Sequence, residues 1–170
     1  MWFCKTLPIM SAVALFLTAG CGFEPLYRNN SVAESVVGRF AVIEIAPIEN
    51  RLGQQLRNFL RDKITPKGSV SNPIYKLIVD LKQTRDNSVV LQDATSTFAK
   101  IRLRASFRLV NISSGRPLIK GTTTSIAVFN INESEYANIK AEAGAKSRAA
   151  EEISLAIQTR LALFLRTISQ

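Results

Sequence analysis

Histidine is absent from all 170 residues. Its absence excludes imidazole acid–base chemistry, His-containing triads and His-ligated metal sites. Cysteine is nearly absent: the chain holds Cys4 and Cys21, and Cys4 lies inside an apolar leader. A disulfide framework is thereby excluded, so the fold must rest on packing. Acidic residues are scarce, 13 against 22 Lys and Arg, for a net charge of +9. That balance suits polyanions, either nucleic acid or the phosphates of lipid headgroups. No apolar stretch reaches the roughly 20 residues that a membrane-spanning helix needs. Asp80, Asp86 and Asp93 lack metal-loop spacing, and no Ser-Lys or paired-Asp motif stands out. The expectation is a protein without catalytic residues, metal or cofactor.

What is present begins with the leader. Lys5 supplies a charged start, and an apolar stretch runs from Leu7 to about Leu17 before small residues. That is the plan of a secretory signal. Thr18-Ala19-Gly20-Cys21 is similar to a bacterial lipobox, in which the cysteine thiol is acylated and the chain is cut just before it. Residues 1–20 are then a signal peptide, and their removal takes away Lys5 alone among charged residues. Acyl chains at Cys21 would hold the protein on a membrane, since each buried methylene contributes about 0.8 kcal/mol. Gly22 after the cysteine resembles outer-membrane lipoproteins. A secreted, membrane-held chain argues against nucleic acid as the partner and for lipid phosphates.

Residues 21–38 carry turn formers without a steady period and read as a lipidated tether. Residues 39–170 suit a single domain. A β-branched run from Arg39 to Ile48 predicts a strand bounded by Gly38 and Pro47. Asn50 is placed to cap a helix whose Leu52, Leu56, Phe59, Leu60 and Ile64 share one face. Thr65-Pro66-Lys67-Gly68 ends it. Tyr75, Leu77, Val79 and Leu81 then line one face of a second strand, and Asp86 to Ser88 reads as a turn. A third strand spans about Thr95 to Ile112, and Ser113 to Pro117 form a turn. Leu118 to Phe129 is the fourth strand. Ser134 suits the N-cap of a final helix to about Thr167, with Gly144 as the place for a bend. Ile139, Ala143, Ala150, Ile153, Ile157, Leu161, Phe164 and Ile168 mark its apolar side. The order β-α-β-β-β-α predicts an α+β two-layer sandwich. Its four-stranded, mostly antiparallel sheet has two helices on one face.

The third strand carries the sharpest functional signal. In KIRLRASFRL, Lys100, Arg102, Arg104 and Arg108 fall on one face, while Ile101, Leu103, Ala105, Phe107 and Leu109 fall on the other. The apolar row should lie under the helices and the cationic row should face away. Lys82 and Lys120 would extend the row in a suitable register. Guanidinium forks suit phosphate. The same alternation also suits a solvated outer face of an antiparallel sheet.

Cys21-Gly22-Phe23 with Pro25-Leu26-Tyr27 opens the mature chain. A strand follows, then a helix with Gln54, Leu56 and Arg57, three strands, and YANIKAEAGAKSRAAEEISLAI near the end. This succession resembles the lipopolysaccharide-assembly lipoprotein family, LptE. The resemblance implies a non-enzymatic outer-membrane lipoprotein, lipidated at Cys21. It would plug a large β-barrel, LptD, and help it place lipopolysaccharide in the outer leaflet. Lys100, Arg102, Arg104, Arg108 and Lys120 then become candidate contacts for lipopolysaccharide phosphate, and Thr122 to Ser125 would suit a wet barrel lumen. An accessory lipoprotein of an ABC-type lipid-transport system is the alternative.

Overall fold

A computed structural model describes residues 40–66, 68, 70–86 and 97–168. The leader, the tether with Cys21, and Asn87-Ser88 of the expected turn lie outside the described residues.

The elements follow the expected order: β1 (Ile43–Ile45), α1 (Asn50–Ile64), β2 (Tyr75–Asp86), β3 (Thr97–Asn111), β4 (Pro117–Ile131) and α2 (Glu135–Thr167). The sheet order is β1-β2-β3-β4. β1 runs parallel to β2 through the α1 crossover, and β2, β3 and β4 form an antiparallel meander.

β1 is shorter than its β-branched run. Ala46 still donates to the Leu77 carbonyl at 2.9 Å, but Pro47 follows and has no N–H to continue the ladder. Asn50 does not cap α1. It is the first helical residue, at φ +68°, while Glu49 occupies the cap position without a side-chain hydrogen bond. The chain turns tightly there so that buried Ile48 can sit against Gly53. A Cβ on Gly53 would lie 2.7 Å from Ile48 Cγ2, so glycine is required by that close approach. Asn tolerates the left-handed conformation better than most residues.

β3 determines the layer order. Ala99, Ile101, Leu103, Ala105, Phe107 and Leu109 are buried, and every residue between them is exposed. Leu56, Leu60 and Ile64 of α1 and Ile153, Ile157, Leu161 and Leu165 of α2 complete the core with them. Phe59 is half-buried and packs on its border. The two helices are joined side by side. Gln55 Nε2 donates to Ser147 Oγ at 2.7 Å, and Gln158 Nε2 donates to the Lys63 carbonyl at 3.2 Å.

Ser134 caps α2, its hydroxyl accepting from the Ala137 N–H at 3.3 Å. The helix runs unbroken through Gly144 for 33 residues, about 50 Å at 1.5 Å per residue. Ala141, Ala143 and Ala145 flank the glycine, and their helix propensity offsets its cost of about 1 kcal/mol. The buried residues of α2 run only from Ala145 to Leu165. Ile139 and Ile168 share the expected period but stand beyond that stretch and are exposed, as is Ala143.

Candidate functional site

The strand register decides which cations share the face turned away from the helices. Arg104 of β3 lies opposite Lys82 of β2, and Arg108 lies opposite Lys120 of β4. Both side positions therefore extend the β3 row, which itself carries Lys100, Arg102, Arg104 and Arg108 at exposed positions. Lys76 adds a further cation beside Val110 at one end.

Three carboxylates belong to the same face by the same register: Glu44, Asp80 and Asp86. Reading β3 alone misses them, because they come from neighbouring strands. Asp86 stands 3.8 Å from Arg102, so Arg102 already has an intramolecular counter-ion. Asp80 pairs across the ladder with Ser106. Among the described residues, no carboxylate lies within 4.0 Å of Lys82, Arg104, Arg108 or Lys120. Lys100 likewise has none, so Arg102 is the β3 cation of this row with a direct counter-ion, while Arg108 and Lys120 share their end of the sheet with Asp80.

A shallow concavity of about 450 Å³ occupies that end, lined by Ile78, Asp80, Ser106, Arg108, Lys120 and Thr122 among others. A second hollow continues it past Val110 and Pro117, sharing Ile78, Arg108 and Lys120. Gly121 and Phe107 also line the first, from the ladder beneath. Both side-chain positions turn to the helix side, where a Cβ on Gly121 would lie 2.6 Å from the Phe107 ring. The result is an open groove with Ile78, two hydroxyls, the Asp80 carboxylate and two cations along it. Phosphate groups beside an apolar body fit that chemistry.

The Thr-rich stretch of β4 does not behave as one polar surface. Thr122 and Thr124 are exposed on the cationic face, whereas Thr123 is half-buried on the helix side. Ser125 is buried there and donates to Glu152 Oε2 at 2.6 Å. Alternation assigns Ser125 to the layer between sheet and helix, so it is removed from any lumen-facing role. Glu151 and Glu152 likewise divide their tasks, Glu151 reaching Lys63 of α1 at 3.8 Å. Cys21 lies outside the described residues.

Comparison with known proteins adds to this geometry. A family model described as LptE, lipopolysaccharide-assembly, matches residues 40–161. Among solved structures, a candidate lipoprotein from Caulobacter crescentus CB15 superposes with a TM-score of 0.64 at 26% identity, covering 79% of this chain and 98% of that one. Rare lipoprotein B from Shewanella oneidensis gives 0.57 at 8% identity, over 75% of this chain and 98% of its own. A minor lipoprotein from Acinetobacter baumannii gives 0.55 at 12% identity, over 72% and 92%. The last two likenesses speak to the fold alone. The search of curated proteins finds no match to the chain.

Proposed function

The chain belongs to the LptE lipopolysaccharide-assembly family, and from that premise we propose that it binds lipopolysaccharide phosphate on the outer face of its sheet while plugging a β-barrel. The observation that carries the binding role is the groove end of the cationic face. Arg108 and Lys120 there, like Lys82 and Arg104 beside them, have no carboxylate within 4.0 Å among the described residues, and Asp80 is the one carboxylate lining the groove. Four such cations repel one another until an anion joins them. Lipid A phosphates are held in aggregates by divalent cations. A fixed ladder of Lys and Arg replaces those cations and keeps the molecule dispersed. The role is non-catalytic.

The remaining parts of the reading concern position. Acylation at Cys21 anchors the protein to the outer membrane, and residues 21–38 let the domain reach its partner. An LptD-like barrel encloses the domain, where the exposed hydroxyls of Thr122 and Thr124 meet the polar inner wall of the barrel. The family match supports this reading over an accessory subunit of an ABC-type transporter. Purification from detergent-solubilised outer membranes separates the two. A large barrel accompanies the chain in the first case and an inner-membrane ATPase in the second.

The binding role is tested by titrating lipopolysaccharide against wild type, Arg104→Glu/Arg108→Glu and Arg102→Glu. The double variant should bind more weakly, with the loss largest at low salt, because screening acts on exposed charges beyond about 8–10 Å. Arg102→Glu should lose less, since Asp86 already neutralises part of that charge. Equal affinity of the double variant and wild type at low salt would mean that the row is only a solvated sheet face.

A further inference from the structure

Toward the β3–β4 turn the outer face of the sheet changes from charged to apolar. Its positions there are Ile74, Lys76 and Ile78 on and just before β2, and Arg108, Val110 and Ile112 on and just after β3. The register sets Ile78 across from Arg108 and Val110 across from Lys76. The Ile112 N–H donates to the Ile74 carbonyl at 3.0 Å, so these two isoleucines stand side by side at the end of the sheet. Ile74 is 48% exposed and Ile112 44%. Apolar residues scattered singly over a surface are ordinary. Here Ile74, Ile78, Val110 and Ile112 are neighbours on one face.

This strip is concave. A hollow of about 400 Å³ is lined by Ile78, Val110 and Pro117 together with Arg108 and Lys120. It lies at a register shift: Leu109 pairs with Ile119 but Val110 pairs with Pro117, which leaves Leu118 without a partner on β3. An extra residue of this kind bends its strand and strengthens the local twist. The turn beyond is held in place, since Asn111 Oδ1 accepts from the N–H groups of Ser113 and Ser114 at 3.0 and 3.1 Å. Asp80 lines the neighbouring hollow and not this one. One side of the hollow therefore presents two cations, and the other presents aliphatic side chains.

An anion joined to an apolar chain matches both sides at once. We propose that the strip from Ile78 to Ile74 and Ile112 holds an acyl chain of the lipid whose phosphate Arg108 and Lys120 bind. The inference rests on the lipopolysaccharide reading and deepens it, from a phosphate site to an amphiphile site with a direction. The chain leaves the cations and runs toward the β3–β4 turn. Arg108 and Ile112 are four residues apart, about 13 Å along the strand, which is room for an acyl chain of medium length. Lys76 is half-buried within the strip. Its methylene stem can lie along the chain while its ammonium stays in water. The opposite direction is unsuitable, because Asp80, Ser106 and Thr122 form the next row. A carboxylate and two hydroxyls covered by a chain would lose water and gain no partner. They suit the sugar of the headgroup instead.

The test titrates the full chain with two probes in the same detergent at low salt: acylated lipid A, and its phosphorylated sugar headgroup after removal of the acyl chains. Ile74→Thr/Ile112→Thr removes apolar surface from the strip and keeps β-branched residues in the strands. Ile126→Thr is the control, since Ile126 is 52% exposed on the same face but outside the hollow. The double threonine variant should bind lipid A about tenfold more weakly, as expected for several methylenes losing their contact. It should bind the deacylated headgroup as wild type does, which also shows that it is folded. Ile126→Thr should change neither affinity, and Arg104→Glu/Arg108→Glu should weaken both. The inference is overturned, with the phosphate reading intact, if the double threonine variant binds lipid A as tightly as wild type while the arginine variant is weakened. It is equally overturned if the double threonine variant loses as much affinity for the deacylated headgroup, or if Ile126→Thr loses as much for lipid A. If the arginine variant holds the deacylated headgroup as tightly as wild type, the phosphate reading itself fails, and the chain loses the anchor that places it.

Discussion

Lys120 stands directly across the β3–β4 ladder from Arg108, both exposed and neither within 4.0 Å of a carboxylate among the described residues. Like charges directly opposite on a sheet destabilise it, by an amount comparable to the 0.2–1 kcal/mol of a favourable cross-strand pair. The pair is therefore a cost to the fold that a bound anion removes.

Lys120→Thr should accordingly leave stability unchanged or raise it by less than about 1 kcal/mol. The same variant should weaken lipopolysaccharide binding. Urea denaturation and a binding titration on one preparation check both halves. A stability loss above about 1 kcal/mol would mark Lys120 as part of the fold's packing.

Gly121→Val places side-chain carbon against the Phe107 ring, where even a Cβ would lie 2.6 Å away. Arg160 closes the same space, its guanidinium 6.0 Å from the ring centroid and its Nη1 3.0 Å from that Cβ position. Overpacking of this kind should destabilise by about 1–3 kcal/mol. Phe107→Leu introduced beside Gly121→Val should recover part of the loss, because it removes the atoms that clash. Denaturation midpoints of the two single variants and the double one give the comparison.

Ser125 is buried, and its hydroxyl is directed to Glu152 Oε2 at 2.6 Å. Glu152→Ala should cost about 1 kcal/mol, the low end of the range for a stranded buried hydroxyl, because Glu152 itself is exposed and water can approach. Ser125→Ala/Glu152→Ala should cost less than the sum of the single changes, since the stranded group is gone. A double-mutant cycle by thermal unfolding measures the coupling.

Cys21→Ala should abolish acylation and processing before residue 21. Wild type should partition into the detergent phase and the variant should not, or should remain unprocessed with its leader. Mass measurement of the mature N-terminus is the check. An unmodified residue other than Cys21 at the start of mature wild type would overturn the lipoprotein assignment of that cysteine.

The helices and the sheet were legible because period is a property of one segment. Apolar residues at alternate positions of β3 have to enter one layer, and Leu56, Leu60 and Ile64 at helical spacing have to enter the opposing one. The limits of burial were not legible in the same way. Ile139 keeps the period of α2 but stays exposed at 59%, because a repeat does not record where the opposing layer stops. Asn50 has the chemistry of a cap, yet the demand to bury Ile48 against Gly53 turned the backbone there instead.

For the candidate site, strand alternation alone puts Lys100, Arg102, Arg104 and Arg108 on one face with the core behind them. Alternation along a strand leaves no other arrangement once the apolar row is buried. That Asp86 reaches Arg102 and that Lys82 and Lys120 join the row follows from how the strands come together in space. Those relations depend on register between strands. Charge pairing across segments is set by three-dimensional neighbours, which no local period encodes.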